Sequence, residues 1–123
     1  MPWELDNDRP IYLQLMDRLK ADIISGRYQP GDRLPSVREL AMDAAVNPNT
    51  MQKALSELER DGLVFARRTS GRFITEDDTM LKKMKKDLAR ENIKTFLEAM
   101  LRLGFDKKEA LELLEEILKE EEL

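Results

Sequence analysis

The chain has 123 residues and contains neither cysteine nor histidine, which excludes a disulfide framework, a Cys/His zinc site and thiol or imidazole catalysis. Its net charge is −4, with 37% charged and 41% apolar residues, as in a helix-rich protein with much solvated surface. No apolar run reaches membrane-spanning length and no basic-then-apolar leader opens the chain, so a cytoplasmic protein without a membrane partner is expected.

Residues 1–9 are polar, with Trp3 and Leu5 as packing anchors. Pro10 suits the first position of a helix, where its missing N–H costs nothing. Ile11, Tyr12, Leu15, Leu19 and Ile23 then recur at helical spacing up to the stop at Gly26. Tyr28-Gln29-Pro30-Gly31-Asp32 reads as a turn. Ser36 and Glu39 form a capping box, opening a short helix over 36–44 with Val37, Leu40 and Ala41 inward. Asn47 and Pro48 are a favourable cap and first residue for a second helix, which buries Met51, Ala54, Leu55 and Leu58 and ends at Asp61-Gly62. Two short β runs, 63–66 and 72–75, flank Arg67–Gly71 as a hairpin. From 76 onward the pattern is helical: Leu81, Met84 and Leu88 continue to Met100 and Leu101, Gly104 is a stop, and Asp106 with Glu109 caps a last helix.

The expected fold is mainly α with a small β-hairpin. Two short helices around a tight turn, followed by that hairpin, make a winged helix-turn-helix over residues 1–75. A two-helix dimerisation segment follows at 76–123. In such a unit the second helix enters the DNA major groove by its N-terminal end. Asn49, Thr50, Gln52 and Lys53 lie on its outer face, and amide, hydroxyl and ammonium groups suit base edges and phosphates. Arg33, Arg38, Arg67, Arg68 and Arg72 surround this helix in sequence and are expected on the phosphate backbone. Arg38 has a competing reading, a pair with Asp43. Residues 1–75 carry eleven basic and eleven acidic side chains, so the whole net charge of −4 falls on residues 76–123. The acidity of the chain is therefore no argument against a basic reading face. The run Lys82, Lys83, Lys85 and Lys86 reads as a solvated helix face.

Arg33-Leu34-Pro35-Ser36-Val37-Arg38-Glu39-Leu40-Ala41, Val46-Asn47-Pro48-Asn49-Thr50-Met51-Gln52-Lys53-Ala54 and Leu58-Glu59-Arg60-Asp61-Gly62-Leu63-Val64 together resemble the GntR family of bacterial transcription regulators. The short helical tail is similar to that of its YtrA-like subfamily. The resemblance implies a repressor that binds an inverted-repeat operator in double-stranded DNA as a homodimer. It places DNA contacts at Arg38, at Asn47, Asn49, Thr50, Gln52 and Lys53, and at the wing residues Arg68, Thr69, Ser70 and Gly71. Ser36 joins Arg33, Arg67 and Arg72 to complete the candidate DNA-facing set. The wing tip departs from the Gly-Lys-Gly type of the family by carrying Thr69-Ser70-Gly71, so Arg68 or Arg72 is expected to supply its cation.

Leu88, Ile93, Phe96, Leu97, Met100 and Leu101, with Leu111, Leu114, Ile117 and Leu118, present more apolar surface than one two-helix hairpin can bury. A second copy of the chain is the expected cover. Without a Gly-rich phosphate loop or a large second domain, an enzyme is not expected, nor any metal or cofactor. A small-molecule effector is left open. The alternative function is a winged-helix protein-interaction module, which calls for carboxylates or large apolar groups on the outer recognition face. The amides, hydroxyl and ammonium there argue against it.

Overall fold

The computed structural model describes residues 3–68 and 70–121. Its elements run α1 (Ile11–Ile24), α2 (Val37–Ala44), α3 (Pro48–Arg60), β1 (Val64–Arg67), β2 (Gly71–Ile74), α4 (Asp78–Arg102) and α5 (Lys107–Glu121). This is the mainly helical architecture with one antiparallel hairpin that the pattern predicts. The chain divides into two compact units, Met1–Lys83 and Met84–Leu123, and the division falls inside α4.

In the first unit, α1 and α2 both pack on α3. Leu15 and Leu19 of α1, Leu40 of α2 and Met51, Leu55 and Leu58 of α3 are fully buried, with Val64 and Ile74 of the hairpin beneath them. Pro10 stands one place earlier than expected: it is the cap residue, and Ile11 is the first helical residue. Its carbonyl, which accepts from the Gln14 N–H, serves α1 where its absent N–H cannot. The Gln14 side chain is buried, yet it is fully used. Its oxygen accepts from the Asp6 N–H, and its nitrogen donates to the carbonyls of Asp6 and Arg9, which ties segment 6–9 to α1.

Between α2 and α3 the chain turns through Ala45, in the left-handed region at φ 60° and ψ 47°. The Val46 N–H donates to the Ala41 carbonyl at 3.0 Å and the Asn47 side chain opens α3. The hairpin pairs Val64 with Ile74, Phe65 with Phe73, Ala66 with Arg72 and Arg67 with Gly71. Both strands thus lie within one residue of the expected runs.

The expected turn over 28–32 forms, with the Asp32 N–H donating to the Gln29 carbonyl at 3.0 Å, and residues 31–34 then run beside β2. The Gly31 N–H donates to the Ile74 carbonyl, the Ile74 N–H to the Asp32 carbonyl and the Leu34 N–H to the Arg72 carbonyl, at 2.8–2.9 Å. Arg33 is thereby bridged to Phe73. This short segment shields the free edge of β2, which would otherwise leave backbone groups unpaired.

In the second unit, Gly104 closes the last turn of α4 and the Phe105 N–H returns to the Met100 carbonyl. The Asp106–Glu109 capping box forms in both directions, at 2.8 and 3.1 Å. Ala110 is buried, but Ile93, Phe96, Leu101, Leu111, Leu114, Ile117 and Leu118 are all exposed, and Leu88, Leu97 and Met100 are half-buried.

Candidate nucleic-acid interface

The recognition face is built by two local caps. The Ser36 hydroxyl accepts from the Glu39 N–H at 3.1 Å while the Glu39 carboxylate accepts from the Ser36 N–H at 3.3 Å. The Asn47 side-chain oxygen accepts from the Asn49 N–H at 2.7 Å, and Pro48 follows as the first helical residue. These contacts satisfy N–H groups that a helix end leaves free. They also fix where α3 begins.

With Met51, Ala54, Leu55 and Leu58 buried, Asn49, Gln52, Lys53 and Ser56 are exposed and Thr50 is half-buried. The Gln52 amide donates to the Ser56 hydroxyl at 3.1 Å, so it lies along the helix axis. Lys53 goes elsewhere: its ammonium sits over the Tyr12 ring of α1, 4.0 Å from the centroid. Arg38 is exposed on α2, and among the described residues it forms no ion pair with Asp43 or any other carboxylate.

The wing has two unlike faces. On one, Phe65 and Phe73 stack with centroids 6.0 Å apart. The Arg67 guanidinium lies 4.7 Å from the Phe73 ring and 5.3 Å from the Phe65 ring. Arg33, bridged to Phe73, reaches over Gly71 beside this pair. The other face turns inward, and there Arg72 is joined to Glu59 of α3 by an ion pair that is also a hydrogen bond. Arg72 is thus engaged with the body of the domain, and its side chain is only 19% exposed. Arg68 and Ser70 are exposed at the wing tip. Thr69 lies outside the described residues.

Tyr12, Glu59, Phe65 and Phe73 are the residues that a reading of the chain does not assign to this interface. Tyr12 is read there as core, and Glu59 as one charge among many. The alternation of Phe65 with Arg67 is the one local signal, because period two places them on one side of a strand.

Among the described residues no cluster of three or more carboxylates is arranged to hold a metal ion. None of their helices is long and apolar enough to cross a membrane.

Residues 11–74 match the model of the gntR family of bacterial regulatory proteins. The chain is 42% identical to the uncharacterized HTH-type transcriptional regulator YhcF of Bacillus subtilis over 109 residues, which are 89% of this chain and 90% of that protein. It is also 42% identical to the HTH-type transcriptional repressor YtrA of Bacillus subtilis, over 72% of this chain and 68% of that one. Among solved structures, a GntR family transcriptional regulator from Listeria monocytogenes superposes with a TM-score of 0.82 at 34% identity, covering 91% of this chain and 98% of its own. The DNA-binding domain of AraR, solved in complex with an operator, superposes with a TM-score of 0.53 at 25% identity, over 61% of this chain and 92% of its own. The capped α2–α3 pair, the hairpin beside it and these likenesses agree: the chain belongs to the gntR family of bacterial regulatory proteins and is a DNA-binding transcription regulator.

Proposed function

We propose that the chain works in the cytoplasm as a homodimeric repressor, binding an inverted-repeat operator with α3 in the major groove and the wing on the flanking backbone. The observation that carries this reading is the exposed row Asn49, Gln52 and Ser56 along α3, backed by a fully apolar inner face. Amides placed in the first turns of such a helix match the donor–acceptor pair of adenine. Thr50 is near enough to the helix start to touch a base or a sugar.

Ser36 and Asn47 use their oxygens as caps but keep a hydroxyl hydrogen and an amide group for a phosphate. Arg38, Arg33, Arg67 and Arg68 take the backbone, together with the Ser70 hydroxyl, Thr69 and the Gly71 main chain. Arg72 has a different task in this scheme: through Glu59 it holds the wing against α3.

The dimer is supported by the second unit. Its exposed Ile93, Phe96, Leu101, Leu111, Leu114, Ile117 and Leu118 form the kind of surface that a two-fold copy covers, with Leu88, Leu97 and Met100 at its margin. Two copies of one reading head on a two-fold axis call for an inverted repeat. The name of the relative YtrA supports repression rather than activation.

Selection of bound DNA from a random pool, followed by sedimentation and gel-shift titration, tests the whole reading. Expected are a dimer at micromolar concentration, a two-fold symmetric site, and log affinity that falls linearly with log salt. Gln52→Ala relaxes discrimination at particular base pairs, whereas Arg68→Ala weakens binding to all sequences alike. A uniform loss in both variants would sink the base-reading role of α3.

A further inference from the structure

We propose that Tyr12 is a positioning residue for recognition: its ring holds the Lys53 ammonium at the α1 side of α3, so that Lys53 neutralises a phosphate and does not read a base. This rests on the DNA-binding reading above and assigns a role within it that the composition of the helix face leaves open. Lysine alone is compatible with either partner, guanine or phosphate.

Three observations carry the inference. The Lys53 nitrogen lies 4.0 Å from the Tyr12 centroid, inside the range in which a ring face attracts a cation. Lys53 forms no ion pair among the described residues, so the ring is what directs its four-carbon stem. Tyr12 is half-buried on α1, which packs on α3, so its position is set by the core and not by solvent.

The neighbouring residue sharpens the contrast. Successive residues on a helix diverge by about 100°, and Gln52 extends along the axis to Ser56 while Lys53 turns aside to α1. An ammonium held on a ring keeps N–H groups directed outward, which suits a point contact with a phosphate oxygen. To reach a guanine edge it must leave the ring and lose that attraction. Tyr12 therefore biases one flexible cation toward the sequence-independent part of binding and leaves the bases to Gln52 and Asn49.

The test uses the full chain on its selected operator and on single-base variants of it, over a salt series. Lys53→Met is expected to reduce the slope of log affinity against log salt by about one while leaving the order of preferred bases intact. Tyr12→Phe, which keeps the ring, stays within about twofold of wild type. Tyr12→Leu frees the lysine and changes the preference at one base pair by about two- to fivefold, and this change disappears in the Tyr12→Leu/Lys53→Met double variant.

A merely structural role for Tyr12 makes its effect independent of Lys53, so additive effects in the double variant overturn the proposal. A changed base order in Lys53→Met overturns it as well. Should Tyr12→Leu fail to fold, Lys53→Arg decides: a guanidinium still seated on the ring leaves the base order unchanged, and a new guanine preference refutes the idea. A wild-type protein indifferent to sequence overturns this inference together with the DNA-reading assignment. A discriminating wild type with an unaltered Tyr12→Leu overturns this inference alone.

Discussion

Arg33 and Gly71 meet across the wing: a β-carbon on Gly71 would stand 3.0 Å from the Arg33 Nε. Gly71 also has φ +99°, a region that side chains disfavour. The backbone there favours glycine, and a β-carbon would in addition make the Arg33 side chain give by a few tenths of an ångström. Gly71→Ala is expected to cost about 1–3 kcal/mol through backbone strain, seen as a lower melting temperature, and to weaken operator binding because Arg33 is displaced. In an Arg33→Ala background the steric part of the loss vanishes and the strain remains. Equal losses in both backgrounds would mean that the arginine yields freely.

The Arg72–Glu59 pair predicts a different defect. Glu59→Gln keeps the shape of the side chain and removes its charge, leaving a mostly covered guanidinium opposite a neutral amide. The expected loss is about 1–2 kcal/mol, with solvent screening holding it to the lower end because Glu59 is one-third exposed. Operator affinity falls with it, although Glu59 itself is not expected to touch DNA. Chemical denaturation and binding titration of the same variant check both effects, and an unchanged affinity would show that the wing does not depend on this tie.

Replacing Phe96 or Ile93 with Glu places a charge on the exposed apolar side of α4. Each substitution is expected to convert the protein to a monomer in sedimentation and to lower operator affinity by more than tenfold, since a single half-site loses the linked second contact. The reading-head fold should persist, with α1–α3 helicity unchanged by circular dichroism. A variant that remains dimeric would move the dimer surface elsewhere.

Among the described residues, Tyr28 is the group that predicts a pH effect. Burial raises its phenol above the ordinary value; the carboxylates of Asp22 and Asp43 add to the shift, while Arg27 and Arg18 oppose it. A group whose folded pKa is raised stabilises the fold fully below its unfolded pKa and loses that contribution as pH rises through the folded one. Stability is therefore expected to fall above about pH 10, and Tyr28→Phe should flatten that decline. Tyrosinate absorbance followed alongside the unfolding curves checks this. A decline of equal steepness in Tyr28→Phe would assign it to other groups.

The local parts of the fold are readable because their causes are local. Ser36 with Glu39, and Asn47 with Pro48, announce α2 and α3 within four residues, and the structure realises each contact. The hairpin is readable only to within one residue, since short apolar runs fix a face better than a register. What escapes is long-range. The turn over 28–32 is readable from Pro30 and Gly31, but nothing local shows that residues 31–34 go on to pair with the backbone groups of Arg72 and Ile74. Arg72 looks like one more cation near DNA until Glu59 is seen opposite it. Likewise, nothing in the spacing of α1 points Tyr12 at Lys53, because that meeting depends on how two helices pack.

The strand-like segment at 31–34 also couples motions that are distant in the chain. The Leu34 amide is held by Arg72, and the Ile74 amide by Asp32. Peeling the segment from β2 releases both hydrogens to solvent together, so deuterium uptake at Leu34 and Ile74 should follow a single opening rate. Whatever immobilises the wing then slows exchange just ahead of α2, and the entrance to the helix-turn-helix becomes a reporter of events at the hairpin.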